Sequence, residues 1–268
     1  MADSSQTPVA IITGGASGIG RATARALARA GFRTVVADIN ASGGELVCAQ
    51  IVADGGQALA VATDVADPAQ IERMVATTLS HWNRVDVLVN NAAALGLLAG
   101  DGEFLSTTVD NWDASYRANQ RGAMVATQQV LPAMLCQGGG SIVNISSVDG
   151  ELGDTTKIAY GMNKAAMNLF TQCIATAYGP RGVRCNAILP GLIMTEMAEA
   201  NIGPEERPVW ERNIRSPRLG TPEDVAAVVV FLAGSAAEYV NGQLIRVDGG
   251  LLSHVPHLAQ FEALAESV

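Results

Sequence analysis

Charge and aromatic rings are both scarce in this chain. Asp, Glu, Lys and Arg make up 16% of its 268 residues, and Phe, Trp and Tyr only 4%. The scarcer sign is positive: 17 Lys and Arg stand against 26 Asp and Glu, for a formal net charge of −9. An acidic excess argues against a nucleic-acid partner and against an anionic membrane surface. Only three histidines occur, His81, His254 and His257; they make no metal motif, with the last two in the tail, so no metal is expected. The four cysteines, Cys48, Cys136, Cys173 and Cys185, lack any Cys-x-x-Cys pair and read as free, mostly buried thiols in a reducing compartment. No apolar run is long enough to span a bilayer. The short polar stretch before Val9 carries no leader pattern, which points to a cytoplasmic protein without membrane partners. Internal repeats and Pro/Gly/Ser-rich linkers are also missing.

What is present is a hydrophobic content of 49% with 28 glycines, a composition for one turn-rich α/β domain with a sizeable core. Pro8 to Thr13 is a short apolar run suited to a buried parallel strand. It enters Gly14-Gly15-Ala16-Ser17-Gly18-Ile19-Gly20 and then an alanine-rich helix, Arg21 to Ala30. Strand, glycine turn and helix in that order form a dinucleotide-binding start: glycines let backbone approach the pyrophosphate, and the helix N-terminus faces its charge. Asp38 ends the second strand, Thr34 to Ala37. A carboxylate there accepts hydrogen bonds from the adenosine ribose hydroxyls and repels a 2′-phosphate, and no Arg or Lys lies between Gly14 and Gly20. NAD is therefore favoured over NADP.

Further strands are expected at Ala58 to Ala62, Val85 to Val89, Ser141 to Ile145, Val183 to Leu189 and Leu244 to Val247. Helices are expected at Ala41 to Ala53, after Asp67-Pro68, within Asp110 to Leu135 (one or two), around Tyr160 and at Val225 to Leu232. The alternation predicts a single, doubly wound parallel sheet of Rossmann type over residues 1–250. Leu192 to Arg218, with three prolines, reads as a lid of short helices. In the tail, 251–268, the spacing of Leu258, Phe261, Leu264 and Ala265 predicts an amphipathic helix over Pro256 to Glu266.

Tyr160 and Lys164 are four apart, so a helix projects both from one face, and Ser147 lies at the carboxyl end of a strand thirteen positions earlier. A tyrosine titrates near pH 10 in water, too high for a base near neutrality. A neighbouring ammonium, or a positively charged cofactor, would lower that value and let Tyr160 exchange a proton with an alcohol or ketone oxygen held by Ser147. Taken alone, a Tyr-x-x-x-Lys pair is better explained by a snorkelling lysine on an amphipathic helix, since such pairs are common.

Taken together, Thr13 to Gly20, Asn90-Asn91-Ala92, Asn119, Ser147, Tyr160, Lys164 and Pro190-Gly191 resemble the short-chain dehydrogenase/reductase family over roughly residues 7–250. The resemblance implies that Tyr160 is the acid/base, that Lys164 tunes it and binds the nicotinamide ribose, and that Ser147 orients the substrate oxygen. It implies that Asn119 holds a water linking Lys164 to solvent. For the cofactor it implies contacts from Gly14, Ser17, Gly18, Ile19, Gly20, Asp38, Asp64, Val65, Asn91, Ala92, Pro190, Gly191, Ile193 and Thr195, and it implies a homotetramer. Ala93 departs from the glycine usual after Asn-Asn-Ala. The expected substrate wall, with Ala94, Leu95, Met197 and Trp210, is mostly apolar and favours a hydrophobic secondary alcohol or ketone (alicyclic, terpenoid, steroid or aromatic). Asp149 is its polar exception, either meeting a substrate group or capping its loop. Two other readings remain at this point: an NAD-sensing or scaffold protein without turnover, and an epimerase or dehydratase that retains its cofactor.

Overall fold

The computed structural model describes residues 7–266. Seven strands form one parallel sheet: β1 (Val9–Thr13), β2 (Arg33–Asp38), β3 (Ala58–Ala62), β4 (Val87–Asn90), β5 (Gly140–Ile145), β6 (Val183–Pro190) and β7 (Leu244–Val247). Their spatial order is β3-β2-β1-β4-β5-β6-β7. The order reverses between β1 and β4, and open α/β sheets bind ligands at the carboxyl ends of the strands beside such a point. The central strands are apolar throughout because both faces are covered; every residue of β1 and β4 is buried.

One face of the sheet carries α1 (Gly18–Arg29), α2 (Ala41–Ala53) and α9 (Pro222–Ala233), whose Leu27, Ile51 and Val229 pack on Ile12, Val36 and Val143. The other carries α3 (Pro68–Trp82), α5 (Gly122–Cys136) and α6 (Ile158–Tyr178), where Met74, Val130 and Met134 meet Ile11, Leu88 and Ile142. Helix α3 starts as anticipated, with the Asp67 side chain accepting from Ala69 N–H and Pro68 in the first turn.

The stretch Asp110 to Leu135, expected to hold one or two helices, has two: α4 (Val109–Tyr116) and α5, joined by a π-helical turn (Arg117–Arg121). Three expectations are corrected. Strand β4 begins at Val87, not Val85, because Val85 N–H donates to the Gln137 side chain instead of to the sheet. Of the free cysteines, Cys48 and Cys185 are buried, and burial pushes their thiols up to about 11 and about 12, but Cys136 and Cys173 are exposed on helix surfaces. The tail helix α10 (Leu258–Glu266) buries Ala259, while Phe261 and Leu264 face outward, so its contact face is not the stripe that the spacing picked out. It is held by Glu262, which pairs with Arg215 at 2.8 Å, and by the His254 ring against the Asn213 carbonyl. The expected lid contains α7 (Glu196–Asn201) and α8 (Arg207–Asn213), and α10 packs on α8. No helix among the described residues is long and apolar enough to cross a membrane.

Candidate active site

The glycine turn is built by close approaches that a side chain would block. A Cβ on Gly20 would stand 2.0 Å from the Gly14 carbonyl oxygen, and one on Gly14 would meet the Ala92 Cα at 2.8 Å. Asn91 closes the turn from β4: its amide donates to the carbonyls of Thr13 (2.9 Å) and Gly14 (3.0 Å), while Thr13 Oγ1 accepts from the N–H groups of Asn91 and Ala92. The Asn91 side-chain N–H groups thus brace the turn from β4. Ser17 precedes α1 without capping it, and the first turn of α1 contains no acid. Backbone N–H groups at the start of a helix suit an anion, so these residues fit a dinucleotide's pyrophosphate.

Asp38 stands at the end of β2, with its carboxylate accepting from Ala16 N–H at 2.9 Å and from Asn40 N–H at 2.8 Å. Asp64 forms a turn with Ala66 N–H, and Val65 lies under α5, where a Cβ on Gly122 would meet its carbonyl at 2.6 Å. On the far side of the switch point, Pro190 ends β6 and Gly191 N–H donates to Val247. Gly191 must be small, since a Cβ there would meet Asp248 at 2.9 Å. Ile193 is buried and bridges to Gly220, and Thr195 caps α7 with its methyl group 3.1 Å from where a Gly18 Cβ would lie. Adjacent Glu196 pairs with Arg21 and accepts from Gly18 N–H, so a carboxylate of the lid rests on the turn. Sequence reasoning missed this contact, which joins side chains 175 positions apart.

Ser147, Tyr160 and Lys164 come together at the carboxyl end of β5. Ser147 Oγ accepts from Asp149 N–H at 3.1 Å and lies in hydrogen-bond reach of the Tyr160 phenol. Lys164 is only 2% exposed; its Nζ donates to the Ile145 carbonyl at 2.8 Å and sits 5.4 Å from the centre of the Tyr160 ring. Burial holds the phenol well above its ordinary value, the Asp149 charge adds to this, and the Ser147 hydrogen bond opposes it. Burial also pulls the Lys164 ammonium down to about 8. Asp149 is raised first by burial, against the Lys157 charge, and its electrostatic reach to both Tyr160 and Lys164 puts it inside the site.

Asn119 lies in the π-helical turn, 2% exposed. Its carbonyl oxygen Oδ1 accepts from Ala94 N–H at 3.0 Å, and its Nδ2 donates to Ser115 Oγ, which also accepts from Asn163 on α6. That side-chain amide ties the wall to α4, and through Ser115 to α6. Ser115 and Asn163 were not anticipated, since neither belongs to a recognisable spacing. Of the expected wall, Ala94 and Leu95 open a 3₁₀ turn (Leu95–Gly100), while Met197 and Trp210 lie on α7 and α8.

A profile of the family described as Enoyl-(Acyl carrier protein) reductase matches residues 14–252. The chain is 44% identical over 251 residues to a probable short-chain type dehydrogenase/reductase of Bradyrhizobium diazoefficiens, covering 94% of this chain and 89% of that one. It is 35% identical over 251 residues to a 7alpha-hydroxysteroid dehydrogenase of Bacteroides fragilis, covering 94% and 96%. Among solved structures, a 7 alpha-hydroxysteroid dehydrogenase complexed with NADH and 7-oxo glycochenodeoxycholic acid superposes with a TM-score of 0.86 at 32% identity, over 93% of this chain and 98% of that one.

Proposed function

The chain belongs to the short-chain dehydrogenase/reductase family, and from that premise we propose that it is an NAD-dependent oxidoreductase interconverting a hydrophobic secondary alcohol and its ketone. The observation that carries this reading is the meeting of Ser147, Tyr160 and Lys164 at the carboxyl end of β5, on the same sheet edge as the glycine turn.

When bound, the nicotinamide supplies the hydride acceptor or donor. The glycine turn and the N-terminus of α1 would hold the pyrophosphate, Asp38 the adenosine ribose and Lys164 the nicotinamide ribose. The substrate oxygen lies between the Ser147 hydroxyl and the Tyr160 phenol. Because Ser147 Oγ already accepts from Asp149 N–H, its own proton is available to that oxygen. In the reducing direction Tyr160 gives its proton to the developing alkoxide; in oxidation the phenolate takes the alcohol proton. Lys164 stabilises the phenolate, and a cationic ring alongside would add its own charge to that effect.

The preference for NAD rests on Asp38 and on the lack of a free cation in the turn, since the guanidinium of Arg21 is engaged by Glu196. Asp38→Ala is expected to narrow the ratio of kcat/KM for NAD+ over NADP+ by about tenfold, the order of a lost charge repulsion. An unchanged ratio in the variant, or equal use of both cofactors by the unmutated protein, removes Asp38 from that role. Exposed apolar side chains on α4, α5 and α6 (Tyr116, Met124, Met162 and Leu169) support a homotetramer assembled through those helices, which light scattering would measure. Absorbance at 340 nm across cyclohexanol, menthol, 1-phenylethanol and a 7α-hydroxy bile acid tests the activity itself. Turnover of none of them with NAD+ or NADP+ would defeat the proposed class.

A further inference from the structure

Helix α6 carries Tyr160 in its first turn, yet its own sequence supplies no cap. The residue before it, Lys157, has a left-handed backbone (φ 56°, ψ 30°) and makes no side-chain bond to the helix. Helix starts leave N–H groups without partners, and an ordinary N-cap answers the second or the third. Here those are the N–H groups of Ala159 and Tyr160, and both are answered by one carboxylate from another part of the chain. Asp101 Oδ1 accepts from Ala159 N–H at 3.1 Å, and Oδ2 accepts from Tyr160 N–H at 2.8 Å. The Asp101 backbone carbonyl accepts from Lys157 N–H at 2.7 Å. Asp101 is only 2% exposed, so this is an interior contact and not a surface pairing.

Asp101 also ends the strap that follows β4. The strap starts at Ala94, whose N–H is held by the Asn119 amide oxygen, passes through the 3₁₀ turn Leu95–Gly100, and is fastened to α6 by Asp101. Its two anchors are therefore a residue in the site's polar network and the backbone of the residue that moves the proton. Ala94 and Leu95 lie between them, where the substrate wall is expected.

We propose that Asp101 is a positioning residue for the reaction: it fixes the first turn of α6 so that the Tyr160 phenol stands in register with Ser147 and Lys164, and it ties that register to the substrate wall. The role rests on the reading of Tyr160 as the proton-transfer group. A small displacement of a reacting group lowers the rate of the chemical step without weakening cofactor binding elsewhere. Asp101→Ala removes both acceptors. Asp101→Asn keeps one oxygen but turns an amide donor toward a second N–H.

The experiment measures kcat, the NADH Kd by fluorescence, and the primary deuterium isotope effect on kcat with carbinol-deuterated substrate, using the panel alcohol turned over fastest. Asp101→Ala is expected to lose about tenfold to a hundredfold in kcat with the NADH Kd within twofold. The isotope effect should rise as hydride transfer becomes rate-limiting, a change that simple loss of folded protein does not produce. Asp101→Asn should fall between Asp101→Ala and the unmutated protein. Should the alanine variant not fold, the asparagine variant decides alone. A fall in kcat smaller than about threefold overturns the proposal, whatever happens to thermal stability. Turnover by the unmutated protein, abolished in Tyr160→Phe, tests the Tyr160 reading separately. If the unmutated protein turns over nothing, that reading fails, and amide exchange at Ala159 and Tyr160 reads the cap directly: about tenfold faster exchange in Asp101→Asn supports it, and unchanged exchange overturns it.

Discussion

Tyr160→Phe is expected to lower turnover by roughly a thousandfold while leaving the NADH Kd within twofold, as measured by steady-state kinetics and fluorescence titration. The substitution removes one oxygen from a side chain whose backbone is fixed by Asp101 and whose ring lies beside Lys164, so the surroundings have little reason to move. The direction of pH dependence follows from the same oxygen. Burial and the Asp149 charge hold the phenol above its ordinary value, which favours the protonated acid at neutral pH. Ketone reduction needs that acid and should persist through neutrality. Alcohol oxidation needs the phenolate, so its kcat/KM should climb as the pH is raised. An oxidation rate that falls from pH 7 to pH 9, or a phenylalanine variant within tenfold of the parent, would show that the proton travels by another group.

Lys164→Met should separate activity from stability. Loss of the ammonium removes the charge that stabilises a phenolate, and kcat should fall by about a hundredfold or more. Stability is expected to move the other way. The buried ammonium titrates at about 8, against 10.5 for a lysine in water, so the unfolded chain holds this proton more tightly than the native one. Stability therefore rises with pH between about 8 and 10.5, and at neutral pH the native protein carries a cost of about 3 kcal/mol. Methionine has no such cost but leaves the Ile145 carbonyl without its donor, an offset of about 1–2 kcal/mol. The net gain, about 1–2 kcal/mol, corresponds to a melting temperature higher by roughly 2–6 °C at pH 7. The gain should disappear above about pH 10.5, where the lysine is neutral in both states. A variant that melts below the parent at pH 7 would show that the desolvation argument is wrong.

The sheet was readable because parallel strands buried on both faces appear as short apolar runs, and the glycine turn because close backbone approach leaves glycine as the residue that fits. Ser147, Tyr160 and Lys164 were readable through helical and strand-end spacing. Other features depend on partners that periodicity cannot see. Asp101 serves amides 58 and 59 positions away, and before folding it is one more aspartate in a glycine-rich loop. Glu196 reads as an acid in a helix's first turn, a common placement, and only the fold brings it to Gly18 and Arg21. The π-helical turn leaves no mark in a pattern read at 3.6 residues per turn. For the tail helix, the apolar stripe was real, but the docked side is the one that buries Ala259 and places Glu262 against Arg215.

That π-helical turn also limits how the gene can change length here. Removing Arg117 or Ala118 would restore a regular spiral and shorten the step from Ser115 to Asn119 from four positions to three. The bond from Asn119 Nδ2 to Ser115 Oγ would then lose its present geometry, although neither side chain was altered. Insertions and deletions should thus be tolerated in the exposed stretch 103–106 and rejected a few codons later, a boundary that a library of single-codon deletions would map.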